Sequence, residues 1–176
     1  MFEKAEPVYM VSAREDPVIL KINGCSNYLN CQPVADLFTR LIDQGKRNFV
    51  VDFGDCTAMD STFLGILTGT ALDLRNFVPP GSMMFIRLDK RNLEVVRNLG
   101  LHRLVDIDSS LSSLSFDPRE SEEIVPTDSG KDQKATAEMI LKAHQNLIQL
   151  KEGNREKFQD VISFLKEQLK DESLES

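Results

Sequence analysis

The stretch that decides the fold is Val51-Asp52-Phe53-Gly54-Asp55-Cys56-Thr57-Ala58-Met59-Asp60-Ser61-Thr62-Phe63-Leu64-Gly65-Ile66-Leu67. It begins inside Asn48-Phe49-Val50-Val51-Asp52-Phe53, a near-continuous apolar run of the kind found in a central strand covered on both faces. Gly54 to Asp60 reads as a seven-residue loop. Asp60-Ser61 then opens a helix, with Leu64, Leu67, Ala71, Leu74 and Val78 along one face, and Pro79-Pro80-Gly81 stops it. Asp60 is placed to accept hydrogen bonds from the free N–H groups of the first turn. Ser61 takes the first helical position, where its hydroxyl is expected to face solvent. A phosphate there would meet helix N–H groups and the positive end of the dipole, so the fold would tolerate it. It would also set roughly two negative charges beside Asp60, enough to eject a docked neighbour. Taken alone, Asp60-Ser61-Thr62 is no more than a helix cap.

Upstream, Val8-Tyr9-Met10-Val11 and Val18-Ile19-Leu20-Lys21-Ile22 are strand-like runs separated by Ala13-Arg14-Glu15-Asp16-Pro17. Asn23-Gly24 is expected to end the second strand. A helix follows from Gln32 to Gln44, with Pro33 in its first turn, Val34, Leu37, Phe38, Leu41 and Ile42 on one face, and Gly45 after it. Downstream, Met83-Met84-Phe85-Ile86 is a buried strand. Asn92 to Leu99 is a short helix ended by Gly100, and Leu104-Val105 is a further short strand. Asp108 caps a last short helix carrying Leu111 and Leu114. The order ββαβαβα predicts an α/β domain, a mixed sheet with helices packed on it, over residues 1–116.

Residues 117–133 carry Asp117, Glu120, Glu122, Glu123, Asp128 and Asp132 together with Pro118, Pro126 and Gly130, and read as an acidic, solvated linker. Residues 134–176 form a helical extension. Ile140, Ala143, Leu147 and Leu150 make one stripe, and Phe158, Val161, Ile162, Leu165 and Leu169 another. Lys151-Glu152-Gly153-Asn154 between them allows two helices, and one continuous helix is the alternative. So long an apolar stripe must pack on something, either this domain or a second copy.

Composition narrows the function. The chain has 176 residues, 21 Lys+Arg against 28 Asp+Glu, and a formal charge of -7. That balance argues against a nucleic-acid binder with a broad basic face. No apolar run approaches the ~18 residues of a membrane span, and Met1 to Glu6 lacks the pattern of a signal peptide. The three cysteines, Cys25, Cys31 and Cys56, form no CxxC, which reads as reduced cytosolic thiols without a disulfide framework or a zinc site. No phosphate-binding glycine loop occurs, and neither His102 nor His144 has a partner at a spacing that suggests catalysis. No cofactor or metal is expected. Asp52, Asp55 and Asp60 lack the acidic pair after the first strand that a phosphoaspartate receiver needs.

The longer pattern resembles the STAS family, the domain of bacterial anti-sigma-factor antagonists and of sulfate-transporter tails. There a strand ending in Asp leads to an apolar residue and Asp-Ser-Ser/Thr-x-Leu-Gly. Asp52, Met59, Asp60, Ser61, Thr62, Leu64 and Gly65 fall on those positions without a gap. Leu20 to Gly24, Gly81 to Leu88 and Leu93 to Leu101 are similar to the family's flanking elements, so the resemblance spans about residues 6–116. It implies a cytoplasmic regulatory module, a kinase substrate and not an enzyme. Such a module binds an anti-sigma factor that is also a serine kinase of the GHKL type. Phosphorylation releases it, and a phosphatase resets it. By position the phosphoacceptor is Ser61, with Thr62 the minor candidate. The docking surface comprises Asp60, Thr62, Phe63 and the loop Gly24, Cys25, Ser26 and Asn27, where Asn27 replaces the family's usual Asp. Phe63 stands where Gly is common. It is either a packed edge residue or an exposed aromatic anchor for a partner groove. A homodimer through residues 134–170 is a further expectation. The alternative is a STAS scaffold subunit of a lipid-transport or stress-sensing complex without sigma control.

Overall fold

A computed structural model describes residues 8–108, 116–124 and 132–174. The helix expected after Asp108 lies outside the described residues. The strands are β1 (Tyr9–Ser12), β2 (Val18–Ser26), β3 (Asn48–Met59), β4 (Ser82–Ile86), β5 (Asp106–Asp108) and β6 (Glu122–Glu123). The helices are α1 (Gln32–Asp43), α2 (Ser61–Arg75), α3 (Lys90–Leu99), α4 (Gln133–Leu150) and α5 (Asn154–Leu174). Among the described residues the strands form one sheet in the order β5-β4-β3-β2-β1-β6. β2 through β5 run parallel, and β1 lies antiparallel to both β2 and β6. The protein is thus α/β, a mixed sheet with helices packed on it and a C-terminal helical extension.

The alternation of β2 explains its placement. Val18, Leu20 and Ile22 are buried, while Ile19 and Lys21 lie on the more open face. The buried face joins Phe49, Val51 and Phe53 of β3, Val34, Leu37, Phe38 and Leu41 of α1, and the inner side of α2 in one apolar cluster. α1 closes at Gly45, whose φ of +92° is the left-handed conformation that glycine adopts without strain. Asp89 caps α3 by accepting from Asn92 N–H.

Several expectations are corrected. Asn23-Gly24 does not end β2. The strand continues to Ser26 through an irregularity at Gly24, where φ is +79°. Residues Gly54 to Met59 form no loop, because β3 pairs with the prolonged β2 as far as Ser26↔Met59. Parallel backbone pairing supplies the hydrogen bonds that the apolar pattern alone does not announce. Leu104-Val105 is a turn, and β5 begins at Asp106. Val78 lies beyond α2 and is 97% exposed. The acidic linker is not wholly solvated: Glu122–Glu123 pairs with β1, and Ile124 packs on the core. An edge strand is held by backbone bonds, so acidic side chains on it are no obstacle. The extension is two helices. Asn154 does not merely start the second, since its buried amide donates to the Leu99 and Leu147 carbonyls and pins the turn of the hairpin beside α3.

Candidate functional site

Asp60 organises the site. Its backbone is extended, and its Oδ1 accepts from Phe63 N–H at 2.9 Å, the cap anticipated from the sequence. Its Oδ2 also accepts from Tyr28 N–H at 2.8 Å, and its own N–H donates to the Ser26 carbonyl at 3.1 Å. One carboxylate therefore ties the loop after β2 to the start of α2. The two segments named from the sequence as a docking surface, Gly24 to Asn27 and Asp60 to Phe63, meet at this point.

The loop is braced from below. Asn30 Oδ1 accepts from Asn27 N–H at 2.9 Å and from the Tyr9 hydroxyl at 2.8 Å, and its amide donates to the Cys25 carbonyl at 2.9 Å. Asn27 Oδ1 accepts from Leu29 N–H at 2.9 Å, work that a carbonyl oxygen does as well as a carboxylate. The Tyr9 hydroxyl also bonds Ser26 Oγ, and burial pushes the Tyr9 phenol well above its ordinary pKa. Braced in this way, the loop presents Tyr28 and Leu29 outward, 46% and 76% exposed. The sequence reading passed over both. An apolar pair next to a loop rich in Asn was the available signal.

The partner-binding candidates divide. Cys25 is exposed, Gly24 and Asn27 are half-buried, and Asp60 and Ser61 are half-buried beside them. Ser26, Thr62 and Phe63 are buried, so they support the surface without forming it. Phe63 as an exposed anchor is overturned. It is 0% exposed and packs against Tyr9 with ring centroids 6.1 Å apart. A helix covered on nearly all sides has no outer edge for an aromatic ring.

Ser61 does not face open water. Its Oγ lies 2.9 Å from His144 Nε2, and His144 Nδ1 lies 2.7 Å from the Ile140 carbonyl. A carbonyl only accepts, so in the neutral ring Nδ1 carries the proton and Nε2 accepts from the Ser61 hydroxyl. His144, taken from the sequence as lacking a partner, is buried at this contact and meets Phe158 of α5 edge-on. Around it α4 lies close on α2. A Cβ at Gly65 would fall 2.3 Å from the Ala143 carbonyl oxygen, and one at Gly69 would fall 2.3 Å from Asn146 Nδ2. Asn146 also donates to the Gly65 carbonyl at 3.1 Å. Ser61, Gly65 and Gly69 recur every four residues and so share one stripe of α2. That spacing of small residues was the sequence signal for a closely packed helix.

Asp52, expected from the motif to end its strand, lies within β3 and has a structural role. Its carboxylate takes two hydrogen bonds from Arg87, at 2.8 and 2.7 Å, which holds the guanidinium more firmly protonated than usual. Asp55 is paired with Lys21 at 2.8 Å, and that hydrogen bond lowers its pKa. Among the described residues, no group of three His, Cys, Asp or Glu could hold a metal ion, and no helix is long and apolar enough to cross a membrane.

Fold and site together define a mixed-sheet α/β domain whose α2 face is closed by its own C-terminal helical hairpin. Among solved structures, the chain is similar to the anti-sigma factor antagonist SpoIIAA in its unphosphorylated form. The identity is 16% over 53% of this chain and 79% of that one, with a TM-score of 0.45. It is also similar to the Bacillus cell fate determinant SpoIIAA in the phosphorylated form, at 15% identity over 58% of this chain and 92% of that one, with a TM-score of 0.48. Neither a protein-family model nor a curated protein matches the chain.

Proposed function

We propose that this chain is a STAS-type protein-binding module, an anti-sigma-factor antagonist switched by phosphorylation of Ser61. The observation that carries the reading is Asp60, whose one carboxylate joins the β2–α1 loop to the start of α2 and sets Ser61 at their junction. The partner is an anti-sigma factor and serine kinase of the GHKL type, docking on Cys25, Asn27 and the exposed Tyr28 and Leu29. The chain is a kinase substrate and not an enzyme, acts in the cytoplasm, and is reset by a phosphatase. A phosphate on Ser61 would sit at the positive end of α2 yet beside Asp60, so the fold survives while the interface is lost. A homodimer would have to use α5, where Phe164 is 64% exposed, since Ala143 and Leu147 of α4 are buried within the chain.

The test is incubation with ATP and an extract of the native cell or its GHKL kinase. Label on the wild type that Ser61→Ala abolishes is the expected result; phosphate elsewhere with Ser61 empty rejects the assignment. Ser61→Asp should weaken partner capture with little change in melting temperature.

One observation favours the second reading, a STAS scaffold subunit without sigma control: the Ser61 hydroxyl is already bonded to His144. Co-purification separates the two readings, with a GHKL kinase in the first case and an ABC-type ATPase in the second.

A further inference from the structure

We infer that the α4–α5 hairpin is a built-in cover of the Ser61 stripe, and that it must lift before Ser61 can be modified. The part of this statement concerning modification rests on the reading of Ser61 as phosphoacceptor. The cover itself does not.

Three features make the hairpin a cover and not a permanent part of the core. First, the closest approaches of α4 to α2 are made by small residues and polar pairs: Ser61 with His144, Gly65 with Ala143, and Gly69 with Asn146. Along this stripe α2 therefore presents a hydroxyl and two glycines to the hairpin, with no large side chain among the three. Second, of the hairpin's fully buried apolar side chains only Ala143 and Leu147 belong to the central cluster, and Met139, Leu150 and Phe158 pack against it at partial burial. Ala137, Ile162 and Leu165 are buried outside it. Third, the hydrogen bonds to α3 are made at the hairpin turn and the start of α5, from Asn154 to the Leu99 carbonyl and from Lys151 and Lys157 to the Asn98 carbonyl. These lie at the α3 end, so the turn can serve as an anchor while the helices move away from α2.

The test uses the full chain carrying Cys25→Ser, which removes the exposed thiol, and Ser61→Cys as a reporter. N-ethylmaleimide labelling is followed at each cysteine by mass spectrometry, with and without Ala143→Arg to push α4 off. Labelling at position 61 should accelerate by about tenfold or more, while Cys31 and Cys56 stay slow, as local opening without global unfolding requires. An unchanged rate at position 61 overturns the cover. So does equal acceleration at Cys31, since the hairpin would then be inseparable from the core. Hydrogen exchange on the wild type needs no substitution. α4 amides should exchange about tenfold or more faster than those of β3, and equal protection in both overturns the inference. If Ser61 proves never to be phosphorylated, neither readout moves, so failure of the functional reading and failure of the cover are told apart.

Discussion

The Ser61 hydroxyl and the His144 imidazole, 83 residues apart in the chain, form one hydrogen bond of 2.9 Å between the start of α2 and the middle of α4. In the neutral ring the Ile140 carbonyl selects the tautomer whose Nε2 accepts this proton. The bond therefore joins the residue proposed as phosphoacceptor to the helix packed over it.

His144→Ala removes that bond and the edge contact with Phe158. The hairpin should lose about 1–3 kcal/mol of docking stability. Hydrogen exchange should show faster opening of α4 with β3 unchanged.

Asp60 serves two N–H groups at once, on Phe63 and on Tyr28. Asp60→Ala should cost about 1–2 kcal/mol, since it removes a helix cap and a loop tether together. Urea unfolding measures the loss. The loop at Tyr28 and Leu29 should become protease-sensitive in the same variant.

Arg87 holds a nearly buried Asp52, and its own side chain is 37% exposed. Arg87→Ala leaves the carboxylate without its partner. Solvent reaching the site keeps the expected loss at about 1–3 kcal/mol, below that of a fully buried pair. Thermal unfolding should register it, and Lys21→Ala at the exposed Asp55 pair should register much less.

Burial pushes the Cys31 thiol from 9.0 up to about 12. Above pH 9.0 the unfolded chain releases this proton while the folded chain keeps it, so the stability present below 9.0 is lost as pH rises toward 12. The expected slope from this group is about 1.4 kcal/mol per pH unit. Cys56, pushed up to about 11, adds a slope of the same sign. Cys31→Ala should flatten the decline between about pH 9 and about pH 11, compared by urea unfolding at each pH.

Local chemistry made much of this molecule readable in advance. Pro33 and Gly45 bound α1, Asp60 caps α2, and Gly100 ends α3, because each acts on backbone groups within a few residues of itself. Apolar periodicity located β1 to β4 and the two apolar stripes of the tail for the same reason, but not β5 or β6, and it left one tail helix or two open. The junction of the β2–α1 loop with Asp60 was also anticipated, through a motif resemblance and not through periodicity.

What lay beyond the sequence depended on contacts between distant segments. The burial of Phe63 follows from Tyr9 lying beneath it, and the length of β3 from pairing with a prolonged β2. The cover on Ser61 follows from where α4 comes to rest. A 3.6-residue pattern tells which side of a helix is apolar, but not which neighbour will meet it. Only the tertiary structure pairs one stripe with another, and here it set a histidine and a close-packed helix over the serine that local chemistry alone would have left facing water.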